Sequence, residues 1–168
     1  KLHPAKEMKA ILVHGINAAM YMDPANNGMP CFEKVKMGAN GTLKAGDIAA
    51  ISGHVVIVDS VGSDPFGMAK ITSADKCAAL THEKFSFVVI QSSPSKNGIG
   101  INKYAAADYL AEESSVSMRS GFEKYAQDAC RAKLQKKDVL MTATNFQVVR
   151  HKKTSDCLNL QPIQLTGE

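Results

Sequence analysis

The stretch Leu43-Lys44-Ala45-Gly46-Asp47-Ile48, followed by Ser52-Gly53-His54-Val55-Val56-Ile57-Val58-Asp59, decides how this chain is read. Gly46-Asp47 leads into a short apolar run at residues 48–51. A tight Ser52-Gly53 bend then opens a second, longer apolar run whose first residue is a histidine. A histidine at the start of a strand can face a cleft while the apolar residues after it anchor the strand in the core. Its unperturbed pKa lies near neutrality, which suits a general base. A structural, hydrogen-bonded histidine at a strand end is the alternative, and position alone favours it.

Outward from this centre, residues 85–91 form a third strand that is apolar on both faces, so it reads as central and buried. Residues 146–151 read as a last strand. Upstream, Met8, Ile11, Leu12, Ile16, Ala19 and Met20 recur at helical spacing over residues 6–22, and Asp23-Pro24 ends that helix. Residues 25–42 are rich in loop signals. Downstream, a short helix is expected over residues 103–113. A longer one over residues 121–134 carries Phe122, Tyr125, Ala126, Ala129 and Ala132 on its apolar side. No internal repeat or low-complexity linker divides the chain, and 168 residues suit one domain spanning 1–168.

Composition narrows the function classes. Net charge is +4, scattered apart from Lys133/Lys136/Lys137 and Arg150/Lys152/Lys153, and Trp is absent. That argues against a nucleic-acid protein, which shows a denser basic stripe with aromatics to stack on bases. A mild positive charge does suit an anionic polymer. The longest apolar runs are too short to cross a bilayer. The opening residues, Lys1-Leu2-His3-Pro4, read as a mature or trimmed form.

Four cysteines, Cys31, Cys77, Cys130 and Cys157, lack CxxC or zinc-ligand spacing, so no metal and no cofactor are expected. An even count allows three disulfide connectivities in an oxidising compartment. Cys130 with Cys157, and Cys31 with Cys77, are the pairings considered. Four buried thiols in a cytosolic protein are the alternative. His14 reads as a packed or surface histidine. Ser92, Ser93 and Ser95 lack a nucleophile elbow and read as cleft or turn residues. Gly98-Ile99-Gly100 lacks the context of a dinucleotide site.

Leu43-Lys44-Ala45-Gly46-Asp47 with Gly53-His54-Val55 resembles the L-K-P-G-D … G-H-V signature of NlpC-type and CHAP cell-wall cysteine peptidases. The strict match spans residues 43–58 and the broader likeness about 6–100, leaving about 103–168 as a C-terminal extension. The resemblance implies an α+β, papain-like fold, with an N-terminal core helix packed on a central antiparallel sheet and a helical C-terminal extension. It makes His54 the catalytic histidine and Gln91 the polar residue that orients it. Ser52, Gly53 and Ser92 would line the substrate cleft.

The family's nucleophilic cysteine starts the preceding helix, where a helix N-terminus lowers a thiol's pKa from ~8.5. Here that place falls near Ala10, so Ala10 would mark a replaced cysteine. Cys31 is the competing nucleophile, although it reads better as a structural or disulfide-bonded residue. The implied activity is hydrolysis of peptidoglycan stem peptides by a monomeric, periplasmic or secreted bacterial protein. The rival expectation is a non-catalytic cell-wall-binding pseudoenzyme or a disulfide-stabilised periplasmic binding protein. A hydrolase acting on amides or thioesters outside the cell wall is a third.

Overall fold

A computed structural model describes residues 17–92, 100–140, 145–153 and 157. The chain enters through a 3-10 turn, Ala18–Met22, whose N-cap is Asn17. Strands β1 (Phe32–Lys34) and β2 (Lys36–Gly38) follow, then β3 (Ile48–Ile51) and β4 (His54–Val61). Two 3-10 turns, Asp75–Ala79 and His82–Lys84, lead to β5 (Phe87–Ser92) and β6 (Ile101–Ala105). Helices α1 (Ala106–Ala111) and α2 (Val116–Leu134) precede β7 (Asp138–Leu140) and β8 (Gln147–His151).

Six strands make one sheet in the order β1-β8-β3-β4-β5-β6, and every pairing is antiparallel. β2 and β7 form a separate antiparallel pair. The architecture is α+β, a mostly antiparallel sheet with one long helix. α2 lays Phe122 and Tyr125 into the core with Phe66, Phe87 and Phe146; neighbouring ring centroids are 4.9 to 6.1 Å apart. Aromatic edges and faces at such spacings attract beyond simple area burial. Gly121 lets α2 approach this closely: a Cβ there would fall 2.2 Å from the Phe146 ring.

The decisive turn is fixed by Asp47, which is fully buried. Its carboxylate accepts the Lys44 backbone N–H at 2.8 Å and a fork of two Arg150 donors at 2.6 and 2.8 Å. Arg150 also donates to the Thr42 carbonyl at 2.9 Å, so β8 is tied to the turn that starts β3. The Gly-Asp dipeptide is therefore structural. Gly46, at φ +86°, takes the left-handed conformation that the turn requires.

Several sequence expectations need correction. Residues 103–105 belong to β6, because pairing of Lys103, Tyr104 and Ala105 with Ile90, Val89 and Val88 overrides their helical propensity. Only Ala106–Ala111 is helical there, and α2 begins five residues before Gly121. The loop-rich stretch 25–42 holds β1 and β2, too short to leave a periodic signature. Helix residues 6–16 lie outside the described residues, and Ala18–Met22 is a 3-10 turn. The C-terminal region is no appended helical extension: β8 is an interior strand between β1 and β3, and α2 supplies much of the core.

The cysteines pair as Cys31–Cys157 and Cys77–Cys130. Both pairings considered from the sequence are thus replaced, and the four-thiol alternative is overturned. Cys77 lies on the turn Asp75–Ala79, packed against α2, which carries Cys130, and this juxtaposition is invisible to linear spacing. Two disulfides are consistent with an oxidising, extracellular-type compartment. Among the described residues, no helix is long and apolar enough to cross a membrane.

Candidate functional site

His54 is the first residue of β4, directly opposite Ile51 across a two-residue Ser52-Gly53 hairpin turn. Gly53 has φ +92°, the left-handed geometry that such tight hairpins demand. The Ser52 backbone N–H donates to Asn145 Oδ1 at 3.2 Å, fastening the turn beside β8. The neighbouring strand β5 carries Gln91, which is 5% exposed. The two side chains stand on the same face of the sheet, near enough for Gln91 to favour the protonated form of the His54 ring. Two residues 37 positions apart in sequence thus meet because β4 and β5 are adjacent and antiparallel.

Burial holds the His54 pKa below the usual histidine value, and the contact with Gln91, which favours the protonated ring, only partly offsets this. Burial thus favours the neutral ring, the form in which an imidazole can accept a proton. The Gln91 amide itself neither takes up nor releases a proton.

An open cavity of about 350 Å³ lies at this end of the sheet. Gly53, His54, Gln91 and Ser92 border it, joined by aliphatic residues of β4, β5 and β6. Of the sequence candidates, His54, Gln91, Gly53 and Ser92 are brought together. Ser52 is exposed on the turn and does not border the cavity. Cys31 is bonded to Cys157 and also lies apart from it, so it offers no thiol there. Ala10, His14, Ser93, Ser95, Gly98 and Ile99 lie outside the described residues.

Ala18 is the residue that sequence reasoning missed. It lines the same cavity and is the first residue after Asn17, whose Oδ1 accepts the Met20 backbone N–H at 3.3 Å. The available signal was Asn17 itself, a strong N-cap residue and a weak one inside a helix. Treating residues 6–22 as one uninterrupted helix hid that start.

Elsewhere, Cys31, His151 and Cys157 bring potential metal-ligand atoms within 4.8 Å of one another. The two sulfurs are bonded to each other, which removes the thiolates such a site needs. His82 and Glu123 form a second histidine pair, with Nδ1 and Oε1 2.8 Å apart. It joins the turn His82–Lys84 to α2, away from the cavity. The chain matches no protein-family model, no curated protein and no solved structure.

Proposed function

We propose that this chain is a papain-like cell-wall module of the NlpC and CHAP kind, whose cavity binds peptidoglycan stem peptides in an oxidising compartment such as the periplasm. The observation that carries the reading is that His54 and Gln91, on adjacent strands, both border one cavity. The resemblance in residues 43–58 implies that same pairing of roles. In an active form, a thiolate would attack an amide carbonyl, and His54 would take the thiol proton and return it to the leaving amine. Water would then clear the acyl-enzyme, with Gln91 holding the ring.

All four cysteines are consumed in disulfides, so the chain as written carries no thiol nucleophile. We therefore propose binding without cleavage. Two alanines are candidate places for the missing sulfur: Ala10 from the family resemblance, and Ala18 from its place on the cavity wall beside His54.

The test is to make Ala10→Cys and Ala18→Cys separately and incubate each with purified peptidoglycan. One of them should release soluble fragments, and adding His54→Gln should abolish that release. Silence from both, with the proteins folded and the new thiol shown to be free by titration, would reject the hydrolase ancestry. Retention of the unaltered chain on insoluble cell wall would then favour a binding module, the second reading that the absent thiol supports.

A further inference from the structure

Helix α2 ends in a turn built on an unusual residue. Lys136 is, among the described residues, the one non-glycine residue with a positive φ, +54°. It stands just past the helix end, where its N–H donates to the Lys133 carbonyl at 3.0 Å and the Lys137 N–H donates to the Ala132 carbonyl at 2.9 Å. That pair of bonds closes a helix C-terminus around a left-handed residue, a position that glycine fills most easily. A long cation kept there at a conformational cost points to a use for its charge.

The turn leads straight into β7. The Lys137 carbonyl accepts the Ala39 N–H at 3.0 Å, and Lys36 of β2 lies directly opposite Leu140 of β7. Met37, the neighbour of Lys36, is buried, so strand alternation turns Lys36 and Leu140 outward. Lys36, Lys133, Lys136 and Lys137 are all exposed, and among the described residues none of them forms an ion pair. Leu134 and Leu140, on the same two elements, are 36% and 46% exposed. Asp128 of α2 is shared by Lys124 and Arg131, and Asp138 of β7 accepts the Asn40 and Gly41 backbone N–H groups at 2.9 and 3.0 Å. Four lysines beside the one carboxylate of Asp138 leave an excess of positive charge around two open leucines.

We propose that this end of the molecule docks on an anionic lipid surface, with the lysine ammoniums at the headgroup phosphates and Leu134 and Leu140 entering the acyl boundary. The proposal goes beyond the cell-wall reading and does not rest on it, because none of these residues borders the His54 cavity. A soluble polyanion would use the same lysines but leave the leucines in water, so the open leucines favour the lipid surface. Each lysine near such a surface contributes about fivefold in affinity. A half-open leucine that enters the boundary contributes roughly tenfold.

The experiment sediments the unaltered chain with vesicles of phosphatidylcholine alone, and with vesicles of phosphatidylcholine and phosphatidylglycerol in equal parts. Retention should require phosphatidylglycerol. Lys136→Gly should weaken it about fivefold while leaving the urea unfolding midpoint unchanged or higher, since glycine suits the turn. Leu140→Ser should weaken it roughly tenfold, with circular dichroism showing the fold intact. Lys103→Gln removes one charge from β6, on a different element, and should leave retention unchanged. Equal retention on both vesicles, or none on either, would overturn the proposal. Equal losses for Lys103→Gln and Lys136→Gly would also overturn it, because they would report net charge alone. Loss with Lys136→Gly but none with Leu140→Ser would assign the lysines to a soluble polyanion and reject docking on lipid.

Discussion

Consecutive residues of β4 live in different surroundings. Val56 and Val58 are fully buried, in one cluster with Phe122, Tyr125 and Phe146, whereas Ile57 between them is 44% exposed. One face of the sheet is closed by an aromatic-rich helix. The turn Ala18–Met22 packs against β3 and β8, with Tyr21 edge-on to Phe32 and Phe32 edge-on to His151. On the β4-β5-β6 side, Ile57 and Ile101 stay open. The comparison teaches that closure and openness here are properties of opposite faces of the same strands. A single strand can hold the fold together with one set of residues and offer a wall to a ligand with the other.

The largest expected effect tests that contrast directly. Phe122→Ala would remove a fully buried ring from the α2 side and should cost about 3–5 kcal/mol. Ile57→Ser, one strand residue away from the same core, should cost less than about 1 kcal/mol because much of its side chain is already in water. Urea unfolding midpoints of the two variants provide the measurement. Equal losses would mean that the β4-β5-β6 face is closed in solution and presents no aliphatic wall.

An intermediate effect is expected at the turn that starts β3. Arg150→Ala leaves the buried Asp47 carboxylate without its guanidinium, an arrangement that should destabilise by about 3 kcal/mol. Arg150→Lys should recover only part of this, since an ammonium cannot reproduce the two-pronged contact. The same urea experiment checks both variants. A negligible loss for Arg150→Ala would contradict the structural role given to the Gly-Asp dipeptide.

These particulars also show what was legible in the sequence. β3, β4, β5 and β8 were visible because their apolar runs are bounded by Gly, Ser, Asp and Pro signals. β1, β2 and β7 have three residues each, below the length at which alternation can be recognised. β6 was hidden because Lys103-Tyr104-Ala105 runs into an alanine-rich helix start, and only its pairing with β5 makes it a strand. In the site, His54 was singled out from its place at the start of a readable strand, whereas Gln91 entered only through the family resemblance. The cysteine pairings and Ala18 could not be named, since they depend on how the turns Asp75–Ala79 and Ala18–Met22 dock on other elements.

The smallest effect concerns His54, which begins β4 on the same face as Val56 and Val58. Its folded pKa lies below the usual value near 6.5, with burial as the main cause. Well above pH 6.5 the ring is neutral in both folded and unfolded chains, and it makes no pH-dependent difference. Between 6.5 and the lower folded value, the unfolded chain binds a proton that the folded chain resists. Stability therefore falls as pH drops through that window and rises as pH climbs back. The slope attributable to His54 is the difference between the unaltered chain and His54→Gln, measured by urea unfolding across the window. An NMR titration should give His54 a midpoint under 6.5, and removing the Gln91 contact with Gln91→Ala should lower it further, because that contact favours the protonated ring. A midpoint at or above 6.5 would contradict the burial that lowers the pKa of this ring.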